Sequence, residues 1–441
     1  MRLHRSRGTA RRGALVLAAV LLVGCKTSDY LDVESPSRIP AGTLETPANA
    51  QLLVTGAIAD FECAFGAYVV AGGLIGEELA DATQTADRYP YDQRTLTSRD
   101  SRYQNNACTS LGVYSPLQTA RVSADNVRRL LEGWTDQQVP NRGTLLATAA
   151  AYEGYSQLLL AEGFCATVFS HFNADKTVAY GDSITPAMAL DSAIAMFSQA
   201  IQTAQQVGAG AQNILNLALV GRARAKLDKG DLAGARADAI QVPSGFRYDV
   251  TASTGTTRRQ NRVWADNGVT GTGAITPTTS INAGSSVGSP YRGLNDPRVP
   301  VDNSGRTASG TGVPIWIQRK YTDPSSPIRL ASYVEAQLIV AEADIASNPT
   351  NALAIVNAAR ARGNETPLLP TATQTEIRNA LINERRREFF LESQHLGDLM
   401  RYNQPLNPAA GTAFPGGGLY GSQRCMPLPD VERNNNPLLK K

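Results

Sequence analysis

The sequence predicts a mostly α-helical protein built from stacked helix pairs, with a large irregular loop-rich region and a few short strands. Apolar side chains recur at helical spacing through most of the chain before residue 243 and after residue 328. Residues 243–328 are instead rich in Gly, Ser, Thr, Pro and Asn, and no helical stripe runs through them. Structureless loops of that length are uncommon in compact domains unless they are functional or disordered.

The N-terminus has the layout of a lipoprotein signal peptide covering residues 1–24. Five arginines lie between Arg2 and Arg12, and a short apolar run from Ala14 to Gly24 follows them. Leu22-Val23-Gly24-Cys25 forms a lipobox, so we expect cleavage before Cys25 and acylation of its thiol by fatty acids such as palmitate. The alternative is an ordinary signal peptide that happens to carry a cysteine. After the leader, we expect no second apolar run of membrane-spanning length.

Removal of the leader changes the charge balance. The whole chain has 42 basic and 39 acidic side chains, and the leader holds five of the arginines and no acidic residue. The remainder therefore has 37 basic and 39 acidic side chains, a net charge of −2. This balance gives no support to nucleic-acid binding.

Four cysteines remain after Cys25, and export to an oxidising compartment favours disulfides. They allow three pairings, and four free thiols are the alternative. We predict Cys63–Cys108, which flanks a tyrosine-rich loop containing Tyr103. We also predict Cys165–Cys425, which would connect a helix end near Gly163 to the C-terminal loop.

Helical periodicity predicts a scaffold over about residues 46–242 and 329–402, with a C-terminal loop segment over 403–441. Thr185-Pro186 provides a cap and a first helical residue. The predicted helices are Ala48–Ala59, 117–133, 144–164, 186–206 and Asn213–Leu227, a helix from Ala233 to Val242, and Tyr333–Arg362 with a break at Asn348-Pro349. Val313 to Lys320 alternates as a strand does. The Lys229-Gly230-Asp231 turn between small-residue helices resembles a tetratricopeptide hairpin.

No catalytic or metal-binding constellation is visible, and the sequence indicates no cofactor and no metal. His171 and His395 have no partner at ligand spacing, and no nucleophile elbow, zinc motif or P-loop occurs. Carboxylate pairs such as Glu77-Glu78 are common on solvated surfaces. Two distant carboxylates would still suffice for a glycosidase. The alternatives are therefore a binding protein, a lipid-anchored hydrolase that degrades polymers outside the cell, and a structural helical adaptor.

The densest motif lies from Ile377 to Tyr402, which we interpret as one long helix. Arg385, Arg386 and Arg387 are interleaved with acidic residues, which favours an ion-pair network over an anion site. The segment from Glu384 to Arg401 resembles the signature helix of the SusD/RagB family of nutrient-binding lipoproteins. Further similar segments are the early Tyr30-Leu31-Asp32, Asn295-Asp296-Pro297-Arg298, Lys320-Tyr321, Leu330 to Ala343, Asn357 to Gly363, and Met426 to Pro437. The sequence departs from the family pattern at His395.

This resemblance implies a single SusD-like domain over residues 25–441, anchored to the outer membrane by lipid and exposed at the cell surface. It implies capture of an oligosaccharide or peptide, no catalytic activity, and delivery to a SusC-like TonB-dependent transporter. The family's ligand contacts do not occupy fixed motif positions, so none is carried over to this chain.

Ligand contacts are expected on aromatic faces in loops, because sugar rings stack on Trp and Tyr while their hydroxyls bind Asn, Asp and Arg. Trp264 and Tyr291 lie beside Asp266, Asn267 and Arg292 in the irregular region. Tyr89 and Tyr91 lie beside Arg88 and Asp92 in a second loop. The alternative is that these rings cap the core, which is the commoner fate of a large aromatic side chain.

Overall fold

Long helices joined by short connections make up most of the chain, as their apolar periodicity predicts. The computed structural model describes residues 41–86, 88–100, 108–109, 111–268, 275–277 and 291–440. Cys25, the segment around Tyr30 and Tyr103 lie outside these residues. The described residues fall into two units, one that ends at Thr46 and one that begins at Pro47. Helix α1 (Ala41–Leu44) belongs to the first unit.

The second unit contains the remaining helices. They are α2 (Ala50–Ile75), α3 (Tyr89–Asp92), α4 (Tyr114–Gly133), α5 (Arg142–Gly163), α6 (Pro186–Val207), α7 (Gln212–Asp228), α8 (Leu232–Ala239), α9 (Tyr333–Ser347), α10 (Pro349–Arg362), α11 (Gln374–Glu388), α12 (Gln394–Arg401) and α13 (Asp430–Asn435). Consecutive helices pack against each other from α4 to α8 and again from α9 to α11. This arrangement of neighbouring helix pairs confirms the predicted fold class.

Local signals set several helix ends where the sequence predicts them. The Thr185 hydroxyl accepts a hydrogen bond from the Met188 N–H at 3.3 Å and caps α6. Asp231 caps α8 in the same way, with its carboxylate 2.9 Å from the Gly234 nitrogen. Gly230 has a φ of +82°, which closes the turn between α7 and α8 at little steric cost. The predicted break between α9 and α10 lies at Asn348.

Helix α2 is much longer than the predicted Ala48–Ala59. From residue 63 to residue 75 every side chain is buried, so no polar stripe marks the C-terminal half. Among the described residues, Pro47–Ile75 is long and apolar enough to cross a membrane by length and composition, with 72% of its most apolar window buried inside the protein. The expectation that no second apolar run reaches that length is therefore wrong. Burial against α4 and α5 is typical of a core helix.

The segment from Ile377 to Tyr402 forms two helices, α11 and α12, rather than one. Leu391 and Ser393 adopt positive φ angles of 57° and 86° between them. The Leu391 N–H donates to the Glu78 carboxylate at 2.9 Å, and Glu392 pairs with Arg329. These contacts with distant segments hold the break, which is why the local pattern does not reveal it.

Short antiparallel strands connect the helical parts. They are β1 (Leu79–Asp81), β2 (Thr167–Val168), β3 (His171–Phe172), β4 (Val178–Ala179), β5 (Ser183–Ile184), β6 (Arg247–Val250), β7 (Ile275–Pro277), β8 (Val301–Thr307), β9 (Pro314–Gln318) and β10 (Ile328–Ser332). Within the described segments they form five two-stranded sheets, which pair β1 with β7, β2 with β5, β3 with β4, β6 with β10 and β8 with β9. Strand β9 lies within the predicted strand from Val313 to Lys320.

Gly154 and Gly221 allow helices α5, α6 and α7 to pack closely around the ring of Phe197. A Cβ atom at Gly154 would lie 2.9 Å from the Phe197 ring, and one at Gly221 would lie 2.5 Å from it. The Phe197 ring also meets Tyr155 edge-on, with centroids 5.0 Å apart. The helix contact therefore depends on the absence of side chains at both glycines.

Two disulfides join distant parts of the second unit. Cys63 on α2 is bonded to Cys108, with Cα atoms 5.5 Å apart. Cys165 is bonded to Cys425, with Cα atoms 5.2 Å apart. The second bridge is supported by the backbone, because the Cys165 N–H donates to Met426 O and the Met426 N–H donates to Gly163 O. The end of α5 is thus fixed to the C-terminal segment.

Candidate functional site

Two loops that carry sequence-predicted ligand contacts meet in the structure. Arg88 Nη2 in the first lies 3.5 Å from Asp266 Oδ1 in the second. We call residues 82–86 and 88–96 the first aromatic loop and residues 261–268 the second aromatic loop. Together with the C-terminal loop (residues 403–424) and strand β9 they form what we call the loop face.

The first aromatic loop is held by buried polar contacts. The Asp92 carboxylate accepts the backbone N–H of Asp81 at 2.8 Å, which fixes α3 to β1. Burial and the neighbouring Asp81 raise the pKa of Asp92 to about 7. The β8–β9 hairpin also contacts this loop, because Thr311 Oγ1 donates to Ala82 O at 2.6 Å. These contacts fix the first aromatic loop to β1 and to the β8–β9 hairpin.

The second aromatic loop is a π-helical turn over Trp264–Gly268. The Asn261 side chain accepts the Trp264 N–H at 3.0 Å, and Arg262 pairs with Asp266 through two contacts of 2.8 Å. The Asn267 amide joins the turn to β9 by donating to Trp316 O and accepting the Gln318 N–H, both at 2.8 Å. Side-chain hydrogen bonds thus replace the regular pairing that this irregular segment lacks.

The C-terminal loop packs onto the first aromatic loop through Arg94. Its guanidinium donates to Gly421 O at 3.2 Å and to Pro408 O, and it pairs with Glu77 at 3.1 Å. The same guanidinium lies 4.9 Å from the Tyr420 ring centroid. These contacts bring Phe414 to 6.4 Å from Tyr89, between ring centroids.

A small cavity of about 80 Å³ lies where these segments meet. Asp92 and Arg94 contribute to its wall from the first aromatic loop, Tyr420 from the C-terminal loop, and Arg292 from the irregular region. The Arg292 guanidinium lies 5.6 Å from the Trp316 ring centroid, and burial lowers its pKa to about 10. The cavity thus combines charged groups with aromatic edges.

Two of the four predicted ligand-contacting aromatics are partly exposed on the loop face. Tyr89 and Trp264 are both half-buried, and Trp264 packs one side against the main core. The Arg88–Asp266 contact brings their loops together. Each ring can therefore expose part of its surface while its base stays fixed, which suits stacking against a ligand.

The other two predicted contacts, Tyr91 and Tyr291, are core residues, so their prediction as ligand contacts is wrong. Tyr91 is 1% exposed, and its hydroxyl donates to Leu111 O at 2.6 Å. Tyr291 is 3% exposed, and its ring stacks on Phe390 with centroids 4.8 Å apart. Neither ring has a face open to solvent, because each anchors a loop to the interior.

Sequence reasoning did not single out Trp316, Phe414 or Tyr420 as site residues. Trp316 lies in the predicted strand next to Arg292, and the other two lie in a Gly/Pro-rich loop whose position is set by Arg94. The available signal was the occurrence of large aromatics among glycines between residues 413 and 420. Exposing such large rings to water in a loop is unfavourable unless they anchor the loop or contact a ligand.

The loop face combines aromatic surface with carboxylate, guanidinium and amide groups, a combination that fits a polar ligand with apolar faces. Its carboxylates are engaged, since Asp266 pairs with two arginines and Asp92 with a backbone N–H. In the part of the chain that the structure describes, no group of three His, Cys, Asp or Glu residues is arranged to hold a metal ion.

Residues 256–440 match the model of the SusD family. This stretch contains the second aromatic loop, the β8–β9 hairpin, α9 to α13 and the C-terminal loop. Over these residues the chain belongs to the SusD/RagB family. No sequence in the curated set of proteins matches it.

Solved SusD-type structures share the fold over nearly the whole chain. A SusD-like protein from Bacteroides fragilis has a TM-score of 0.67 at 12% identity, covering 91% of this chain and 98% of its own. A SusD-like carbohydrate binding protein from Bacteroides vulgatus has a TM-score of 0.63 at 13% identity, with coverages of 90% and 97%. A putative sugar binding protein from Bacteroides vulgatus also has a TM-score of 0.63 at 13% identity, with coverages of 89% and 97%.

Two of the three motif arginines, Arg385 and Arg387, form ion pairs as predicted. Arg385 pairs with Asp398 through two contacts of 2.8 Å, and Arg387 pairs with Glu365 at 2.6 Å. Motif residue Glu384 pairs with Arg298 at 2.7 Å. The family signature therefore fixes α11 to its neighbours and lies outside the loop face.

The Glu77-Glu78 pair is not a solvated surface pair. Glu77 and Glu78 are 8% and 1% exposed. Burial raises the pKa of Glu77 to about 7 and that of Glu78 to about 8. Glu77 holds the C-terminal loop through Arg94, and Glu78 holds the turn between α11 and α12.

Proposed function

We propose that this protein is a surface lipoprotein that captures oligosaccharides on the loop face and passes them to a SusC-like TonB-dependent transporter. The observation that carries the proposal is the meeting of the two aromatic loops through Arg88 and Asp266. This contact positions the half-buried rings of Tyr89 and Trp264 on fixed loops among polar groups. The family match over residues 256–440 and the sugar-binding descriptions of the two similar Bacteroides vulgatus structures support a role in nutrient capture.

The chemistry of the loop face favours a sugar over an apolar ligand. Rings of Tyr and Trp offer flat apolar surfaces to sugar C–H groups. The Asn and Arg side chains nearby offer hydrogen bonds to hydroxyls, and such bonds fix ligand orientation. A peptide would stack less well on these aromatic rings, because its residues do not each present a flat face of C–H bonds as the sugar rings of an oligosaccharide do.

The sequence supports the anchor, and the resemblance to the SusD/RagB family supports the partner. The lipobox supports attachment to the outer membrane through Cys25, which would hold the protein in the plane of its partner and raise their effective concentration. A stable complex with the transporter needs an interface of at least about 1,000 Å². Affinity purification from the outer membrane in mild detergent tests this part, and recovery of the protein without a barrel partner would contradict it.

A binding screen tests the ligand class. The chain starting at Lys26 keeps the whole unit from Pro47 onward and is titrated with a panel of oligosaccharides and a panel of peptides. We expect at least one oligosaccharide to bind and to change tryptophan fluorescence, because Trp264 is in the site. Binding of peptides alone would contradict the sugar assignment.

The same incubations test the hydrolase alternative. We expect the bound oligosaccharide to be recovered intact, because the loop-face carboxylates Asp92 and Asp266 are held by hydrogen bonds and ion pairs. Chromatography of the incubated sugar provides the measurement. Shortened products that disappear in an Asp92→Asn variant would identify an enzyme instead.

A further inference from the structure

A second cavity, of about 330 Å³, lies away from the loop face between the ends of α5 and α7, the start of α6, and α12. Its apolar wall includes Ala161, Leu190 and Met400, and its polar wall includes Glu162, Asp228 and Arg401. That volume is within the range of pockets that hold small organic molecules. The cavity thus has room for an aliphatic body next to carboxyl groups.

Glu162 is the unusual residue of this wall. It is 5% exposed. In the described part of the chain, its Oε2 and the Oδ2 of Asp228 are buried without a hydrogen-bond donor. A buried carboxylate oxygen without a donor costs several kcal/mol, so the two groups need a proton or a cation between them.

The pKa shifts of Glu162 and Asp228 also indicate that the pair needs a proton or a cation. Burial raises the pKa of Glu162 well above its usual range, and the adjacent Asp228 raises it further. Burial likewise raises the pKa of Asp228, whereas Arg401 lowers it. Both shifts favour a proton on one member of the pair, as in close carboxylate pairs.

The charges around the pair favour a monocation. The described residues in and around the Glu162–Asp228 pair include three arginines and five carboxyl groups. They are Arg224, Arg385 and Arg401, and Glu162, Asp228, Glu335, Glu342 and Asp398. Tyr68 and Tyr155 also interact electrostatically with Glu162. Lys229 at the cavity is paired with Asp191. Three positive and five negative charges give these groups a net charge of −2, and one proton on the Glu162–Asp228 pair reduces it to −1. A monocation that replaces this proton leaves the net charge unchanged.

We propose that this cavity binds a small primary ammonium compound with an aliphatic body. The ammonium group donates hydrogen bonds to Glu162 and Asp228 and takes the place of the pair's proton, which is released to solvent. The aliphatic body lies against Ala161, Leu190 and Met400. An ammonium ion fits better than a metal ion, because two carboxyl groups provide too few ligands for a metal site.

Calorimetric titration with n-butylammonium chloride tests the proposal, with n-butanol as the neutral probe of the same shape. We expect the chain starting at Lys26 to bind one butylammonium ion and to bind butanol at least tenfold more weakly. Repeating the titration at pH 7 in buffers of different ionisation enthalpy is expected to show proton release. Equal binding of butanol, or binding without proton release, would overturn the proposal.

Variants connect the result to the cavity. Glu162→Gln is expected to weaken butylammonium binding at least tenfold, because the amide cannot carry the compensating charge. Glu132→Gln makes the same change on α4, where the side chain is 39% exposed and pairs with Arg128, and serves as the control. Ala187→Phe, at an exposed position on the cavity rim, should block the cavity without disturbing the core. Unchanged affinity in folded Glu162→Gln or Ala187→Phe protein would contradict the assignment.

The amine could be free or part of a lysine side chain. Nα-acetyl-lysine amide provides the second arm of the titration. Its binding with an affinity near that of butylammonium indicates that a lysine side chain can be the ligand. Its failure to bind, with butylammonium bound, identifies the site as one for free amines.

Discussion

Arg88 Nη2 lies 3.5 Å from Asp266 Oδ1, with side chains that are 22% and 4% exposed. The two residues belong to loops that are far apart in the sequence, and each loop contains one half-buried aromatic ring. Asp266 is fixed from its own side by Arg262. Arg88 therefore couples the first aromatic loop directly to the second.

Arg88→Gln is expected to weaken oligosaccharide binding more than it destabilises the protein. A partly exposed ion pair contributes about 0–1 kcal/mol to stability, so the melting temperature should change little. Loss of the coupling should let the rings separate, which lowers affinity by about 1 kcal/mol, or roughly fivefold. Calorimetry and thermal unfolding of the same samples provide the comparison. An affinity equal to that of the wild type would show that the loops are positioned without this pair.

Gly221→Ala should destabilise the helix packing around Phe197. The added methyl group would lie 2.5 Å from the Phe197 ring and 3.0 Å from Tyr155, and overpacking a core costs about 1–3 kcal/mol. Gly133→Ala is the matched control, because a Cβ there has nothing within 4 Å. Chemical unfolding of both variants is the measurement. A Gly221→Ala protein as stable as the control would disprove the close approach.

Glu78 should make the protein less stable as the pH rises from about 5 to 7. Its pKa is raised from the ordinary 4.5 to about 8 in the folded protein, mainly by burial. The folded state therefore holds a proton that the unfolded state has released. Its stabilising contribution is complete below the unfolded pKa and is lost as the pH rises through the folded pKa, with a slope of about 1.4 kcal/mol per pH unit.

Glu78→Gln should remove that slope while keeping the acceptor for the Leu391 N–H. Glu77 and Asp92, whose pKa values are also raised to about 7, keep part of the dependence. The free energy of unfolding is measured across this pH range for the variant and the wild type. Equal slopes would show that Glu78 is ionised in the folded protein.

The Cys165–Cys425 bridge should stabilise the unit that contains it. It closes a loop with a sequence separation of 260 residues. The chain-entropy model gives a loss of about 3–5 kcal/mol when so long a loop is opened. Cys165→Ser with Cys425→Ser should show this loss in denaturant unfolding, with non-reducing peptide mapping of the wild type as the check on pairing. Crossed pairs or four free thiols in the map would refute both bridges.

Sequence patterns reveal those parts of the fold that local chemistry determines. Helix α6 is predicted to within a residue, because Thr185 caps it and its apolar stripe faces one side. The C-terminal half of α2 is missed, because a helix buried on every side has no stripe to detect. The break between α11 and α12 is missed, because Glu78 and Arg329 hold it from distant segments.

The candidate site, too, depends on contacts between distant segments that local sequence patterns do not reveal. Sequence composition indicates which loops are rich in aromatics, and Tyr89 and Trp264 are proposed as ligand contacts on that basis. It does not show that Tyr291 stacks on Phe390 or that Tyr91 bonds to Leu111, since both contacts depend on non-local packing. Only the folded chain shows that Arg88 reaches Asp266.

The most direct test of the central claim is calorimetric titration of the best oligosaccharide against aromatic variants of the loop face. Tyr89→Ala and Trp264→Ala should each lower affinity by about 1–3 kcal/mol, the usual range for a ring that packs on a ligand. Tyr180→Ala, at a 43% exposed ring outside the loop face, and Trp134→Ala, at a partly buried ring on the end of α4, are the controls and should bind normally. Normal binding by folded Tyr89→Ala and Trp264→Ala proteins would contradict the assignment of the ligand site to the loop face.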